Sequence, residues 1–357
     1  MLKLWRSVHR IRIWMPILLI LPVILFFLIN KTETVALVNR EPISIREFEQ
    51  AVIETRSDVY SYFNQTYGAE HNTKFWTSSY EGEVPADMAK AKALDVVKRI
   101  KIQQILAKQK KIVQDISYSG FLDDLEIENK RRTEAVNNNK AIYGPVHYGE
   151  KEYYSYVFSN MVIQLKGILG EEELAASEKE LLDFYDSIKE TTYKREDTIK
   201  AQKLSLSWVD KEGNVDRSMR SAARRIMEQW LIEVENGATL AEIATSFTME
   251  GSLEVQLNDL VFEESNARYD HHKFQLLKEE AKKLKVGQVS GMIEENNAIH
   301  LIRCIEKIDE GHQSYDEVKE NVKSLYVDES YRLFIDRLSR DTEVEIDNQV
   351  YDNIKIQ

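Results

Sequence analysis

The chain has 357 residues, a formal net charge of −12 and one cysteine, Cys304. That length suits two or three domains. The acidic balance argues against nucleic acid as a partner, and a lone cysteine permits neither an internal disulfide nor a cysteine metal cluster.

Residues 1–12 carry Lys3, Arg6, Arg10 and Arg12 and no acid, and residues 13–29 (IWMPILLILPVILFFLI) are then apolar throughout. As a helix this run is about 26 Å long at 1.5 Å per residue, near the lower limit for crossing a bilayer. Pro16 and Pro22 are tolerated better in a membrane helix than in a soluble one. Trp14 suits the interface, and the basic flank predicts a cytoplasmic N-terminus. The competing reading is a cleaved signal peptide, which needs a small-x-small site after the apolar run; Leu28-Ile29-Asn30-Lys31 offers none. The expectation is an uncleaved signal-anchor over 1–32, a single pass through the cell membrane, and the bulk of the chain outside the cytoplasm.

The stretch TVALVNREPISIREFEQAV (34–52) reads as a short strand, a turn and a helix opened by Ser44 with Glu47 three residues on, a capping box. Through Val35, Val38, Asn39, Glu41, Pro42, Ile43 and Phe48 it resembles the start of the SurA/PrsA-type chaperone domain. Residues 54–84 hold Tyr60, Tyr62, Phe63, Tyr67, Phe75, Trp76 and Tyr80. Such aromatics pack a chain's own core or contact extended polypeptide. Residues 86–111 form a helix by periodicity, with Met88, Ala91, Leu94, Val97, Ile100 and Ile105 in step. Helices are also expected over 122–137, 151–169 and 177–188, the last opened by Ser177 and Glu180. Gly144-Pro145 breaks the chain between two of them.

Further on, EDTIKAQKLSL (196–206) and residues 222–244 lead to two short runs, 289–294 and 298–305 (AIHLIRCI), separated by Glu295-Asn296-Asn297, a polar break typical of a hairpin. In extended form Ile299, Leu301, Arg303 and Ile305 share one face, and His300, Ile302 and Cys304 the other. These segments resemble, in order and spacing, a parvulin-type (PpiC-like) peptidylprolyl isomerase domain. Gly237, Leu240, Ile243 and Ala244 fall on its helix and turn, Asp259-Leu260 on its D-L pair, and Gly287, Ser290, Ile299, His300 and Ile302 on its final motif. The resemblance covers about a third of the chain. It implies an α+β protein: an N-terminal membrane helix, a mainly helical chaperone domain (33–190), an inserted parvulin-like domain with a small antiparallel sheet and surrounding helices (191–310), and a C-terminal helix and strand (311–357) packing back on the chaperone domain.

An isomerase of this type works against an amide barrier of about 18–20 kcal/mol, using a proline pocket and preorganised polar groups. It requires no metal, nucleotide or other cofactor. The resemblance implies two histidines on adjacent strands, a Cys or Asp nearby, a hydroxyl beside the second histidine, and apolar walls. His300 matches the second histidine. Lys203 stands where the first belongs, Asn297 takes the hydroxyl position, and Glu250 is the carboxylate within 248–252. Leu260, with Phe274 or Leu277, supplies the walls. A lysine beside a histidine disfavours its protonation, so weak or lost catalysis is expected. The partners implied are unfolded or proline-containing polypeptides, the membrane through residues 13–29, and no nucleic acid. A non-catalytic holdase and a dedicated assembly partner of one membrane complex are the alternatives. His271-His272 with Asp270 lacks a spaced third ligand and reads as an exposed loop rather than a metal site.

Overall fold

The computed structural model describes residues 34–209, 213–248, 251 and 253–356. The expected membrane segment and Glu250 lie outside them. Among the described residues no helix is long and apolar enough to cross a membrane.

The chain forms two compact units. One runs through Ser177 and resumes at Lys323; the other is Glu178–Val322. In the first unit, β1 (Thr34–Val38) and β2 (Glu41–Ser44) make a hairpin through Asn39-Arg40. Both turn residues have positive φ, 48° and 69°, as a type I′ turn requires. The third strand, β7 (Val344–Ile346), pairs antiparallel with β1, giving the order β2-β1-β7.

Ser44 then caps α1 (Ile45–Tyr67). Its hydroxyl accepts from the Glu47 N–H at 3.2 Å while the Glu47 carboxylate accepts from the Ser44 N–H at 2.8 Å. The other Glu47 oxygen receives a hydrogen bond from Lys101 Nζ at 2.9 Å, and that ammonium also donates to the Ile116 carbonyl at 3.3 Å. Lys101 lies on α2 (Pro85–Gln109) and is buried, so one carboxylate both caps α1 and ties it to α2. Helices α3 (Tyr118–Asn137) and α4 (Glu150–Glu171) come next. The core joins Val35, Val38, Phe48, Val97, Leu165 and Ile335. Ile335 is on α10 (Tyr315–Asp341), whose later residues belong to this unit. Gly170 lets α4 approach α10: a Cβ there would lie 3.0 Å from a Val327 methyl. The aromatic segment resolves toward packing, since Phe63, Phe75 and Trp76 are buried in a second cluster with Val59 and Ala89.

In the second unit, α5 (Glu178–Thr192) leads into β3 (Thr198–Ser207). The sheet is antiparallel with the order β4-β3-β6-β5, where β4 is Glu254–Phe262, β5 Ile293–Glu295 and β6 Ala298–Ile308. Alternation sorts its side chains. Leu204, Leu206, Ile299 and Leu301 pack on α6 (Arg220–Glu235) and α7 (Leu240–Ser246) through Met227, Trp230 and Leu240. Ile199, Phe262, Ile302 and Cys304 face Leu277 and Ala281 of α9 (Gln275–Lys283). The short α8 (Ala267–Lys273) precedes α9 and carries His271-His272 on exposed positions. Among the described residues no group of three metal-ligating side chains exists.

Two sequence expectations need correction. Ile305 does not share the buried face of Leu301. The β3–β6 register shifts between Lys200 and Ala201, so Ile305 has no partner on β3 and stands 47% exposed; one extra residue in a bulge changes the facing of the residues beyond it. The first arm of the last hairpin is also shorter than the run 289–294. Only Ile293–Glu295 pairs continuously with β6, because Ser290 spends its hydroxyl and N–H on Ile302 in an irregular approach.

Candidate functional site

The face of the sheet beneath α8 and α9 collects most of the expected residues. Antiparallel register sets Ser205 opposite His300 and Lys203 opposite Ile302, while Leu260 on β4 lies opposite Ala201. Residues paired in this way project to the same side. Lys203, His300, Leu260, Phe274 and Leu277 are therefore brought together.

His300 is buried, and both of its ring nitrogens are engaged: Nδ1 lies 2.8 Å from Ser205 Oγ and Nε2 3.0 Å from the Glu295 carbonyl oxygen. A carbonyl only accepts, so Nε2 carries the proton and Nδ1 accepts from the serine hydroxyl. Burial pushes the imidazole pKa down to about 4; the Glu295 carbonyl opposes this, and the charge of Lys203 adds to it. At neutral pH His300 is an uncharged ring with no free nitrogen.

Lys203 is 9% exposed. Its ammonium lies 5.1 Å from the centroid of the Phe274 ring, a cation–π distance. Burial lowers its pKa, and the Glu295 carboxylate partly offsets that. Phe274 in turn packs edge-on against Tyr269. Where the resemblance implies a second imidazole and an open proline pocket, this chain sets a lysine stem and an aromatic ring against each other. Leu277 is fully buried, and Leu260 is half-buried beside it.

Asn297 does not join this group. It occupies the β5–β6 turn with φ 58°, its side chain is exposed, and its backbone carbonyl accepts from the Trp208 N–H at 3.2 Å. The hydroxyl beside His300 comes instead from Ser205. Sequence reasoning passed over that residue, although its place two positions after Lys203 in an alternating strand puts both on one face. It also passed over Glu295. One carboxylate oxygen of Glu295 accepts from the Leu276 N–H at 2.9 Å, capping α9, which has no side-chain cap of its own; the other is buried without a partner. Glu295 therefore serves the site three ways, through its carbonyl, its cap and its charge.

Chemically, the arrangement can hold apolar surface and orient a neutral polar network.

No family model matches the chain. A curated relative, described as a chaperone for lacto-N-biosidase from Bifidobacterium longum, is 26% identical over 141 residues, 40% of this chain. The match spans about half the length of that relative. Similar solved structures include one described under the SurA-like chaperones PEB4 and Cj1289 of Campylobacter jejuni, 14% identical with a TM-score of 0.30, covering 88% of this chain and 98% of that one. PrsA from Bacillus subtilis aligns at 12% identity and a TM-score of 0.20, over 91% of this chain and 94% of its own. The foldase PrsA from Streptococcus pneumoniae aligns at 16% and 0.23, over 78% and 94%.

Proposed function

We propose that this protein is an extracytoplasmic folding factor that binds unfolded or secreted polypeptide, anchored in the membrane through residues 13–29, with a parvulin-like module whose isomerase activity is weak or lost. The observation that carries the second half is the state of His300, buried, neutral and bonded through both nitrogens. The folding-factor half is supported by the sequence match to a chaperone and by the sequence pattern at residues 34–48 and 196–302. An isomerase gains from donors poised for the twisted amide, and here the candidates are committed to the chain itself.

The relative's description names a single enzyme client, which favours a dedicated chaperone over a general one as the second reading. The deciding experiment pairs two assays on the full chain: suppression of aggregation of several unrelated unfolded proteins, and cis–trans isomerisation of short proline peptides. Broad suppression with little isomerisation is expected. Suppression confined to a single enzyme favours the dedicated reading, and no suppression of any client rejects the folding-factor reading.

A further inference from the structure

Two adjoining cavities in the first unit, of about 260 Å³ and 420 Å³, share the walls Tyr118, Phe121, Tyr154 and Phe158. The first reaches toward α1 and α2 and the second toward residues 113–117. Aromatic faces carry negative charge density, which attracts cations.

The charged groups around this aromatic floor are unequal. Glu54 and Glu150 border the first cavity, Asp115 and Asp124 the second, and Glu47 both; the cation among the lining residues is Lys151. Several of these acids have partners already. Glu47 is bonded to Lys101, Glu150 accepts from the Tyr118 hydroxyl and lies 3.9 Å from Arg46, Glu54 lies 3.6 Å from Lys151, and Asp115 accepts from the Ser117 N–H and hydroxyl. A carboxylate accepts more than one hydrogen bond, so these contacts leave capacity for a ligand.

One further atom points to a donor. Gln104 lines the second cavity, and its Nε2 donates to Tyr154 Oη at 3.3 Å, but its Oε1 is buried without a partner. An orphaned amide oxygen, aromatic faces and carboxylates with acceptor capacity to spare suit one side chain above others. Guanidinium is planar, stacks on aromatic rings and presents five N–H donors.

We infer that this crevice binds arginine-bearing segments of extended polypeptide. The inference rests on the reading of the chain as a polypeptide-binding factor and assigns that binding a place and a preference. The test titrates the full chain, by calorimetry at low salt, with the peptide Ac-Ala-Arg-Ala-Arg-Ala-NH2 and with its citrulline counterpart, which keeps the shape and loses the charge. The arginine peptide is expected to bind at least tenfold more tightly. Ser155 lines the first cavity from an exposed position on α4, so Ser155→Trp should block the mouth without disturbing the fold and weaken the arginine peptide at least tenfold. Gln104→Leu should weaken it several-fold. Equal affinity for the two peptides, no binding of either, or an unchanged affinity in Ser155→Trp overturns the inference. Aggregation suppression separates the two levels. Suppression without arginine preference leaves the folding-factor reading standing and removes the crevice, and arginine binding without suppression does the reverse.

Discussion

Ser205 Oγ and His300 Nδ1 lie 2.8 Å apart across a matched pair of β3 and β6. The pair links the inner strands of the sheet, and the second bond of the ring, to the Glu295 carbonyl, fixes the turn that leaves β5. His300 is thereby a structural cross-link between three segments.

The link has a pH signature. An unfolded imidazole takes up a proton near pH 6.5, whereas in the folded protein it does so near pH 4. Between those values the unfolded chain binds more protons, so stability falls as pH is lowered through the window and is flat above it. The full effect is on the order of 3 kcal/mol. The charge of Lys203 and the Glu295 carbonyl face the ring, while Asp270, whose carboxyl is raised by burial, works in the opposite direction. The difference in urea stability between wild type and His300→Gln, measured from pH 7.5 to 4.5, isolates the histidine and should shrink with falling pH.

Lys203→His tests the missing imidazole. Loss of one preorganised donor costs about 10²-fold or more in such sites, so the wild type should turn over proline peptides at least that far below an ordinary parvulin. The substitution should raise the rate, and in the same chain His300→Ala should abolish the gain. An ordinary rate in the wild type, abolished by His300→Ala, would mean that Lys203 or an acid such as Glu250 has taken over the role.

The Glu47–Lys101 pair makes a different kind of prediction. Both side chains are almost completely excluded from solvent. Removing one partner leaves an uncompensated buried charge, so Lys101→Met should destabilise the first unit by about 3–5 kcal/mol. Glu47→Gln combined with Lys101→Met should recover much of the loss. Chemical denaturation of the four chains, monitored by far-ultraviolet circular dichroism, gives the coupling; simple additivity would contradict the pairing.

At Gly170 the prediction is steric. A Cβ would meet the Val327 methyls at 3.0 and 3.2 Å, and both residues sit on helices, where a β-branched side chain has little rotamer freedom. Gly170→Val should cost about 1–3 kcal/mol, and Val327→Ala in the same chain should return part of it. Thermal unfolding of the single and double variants decides the matter.

Local chemistry was legible. The Ser44–Glu47 capping box, the alternating β6 strand and the helices over 86–111 and 151–169 are each encoded by neighbours in sequence, and the structure places them within a few residues of their expected ends. Contacts that depend on register between distant strands were not. Ser205 becomes the partner of His300 only once β3 is aligned on β6, and the bulge that exposes Ile305 leaves no mark in composition. The segment after α3 reads as a plain break at Gly144-Pro145. It is in fact tied down by buried Arg132, which donates to the Pro145 and Tyr143 carbonyls, and by Asn129, which bonds both backbone groups of Tyr148.

The pairing of β1 with β7 has a consequence for biosynthesis. Strands so far apart in sequence close their sheet late, and the α2 ammonium of Lys90 donates to the Tyr351 and Asp352 carbonyls in the same late segment. Residues 178–322 emerge from the ribosome complete while the unit that precedes them still lacks its third strand. During that interval β1 presents an unpaired edge beside an exposed apolar core, open to nearby chains. The first unit therefore matures only after the last turn of α10 and the strand beyond it have been synthesised.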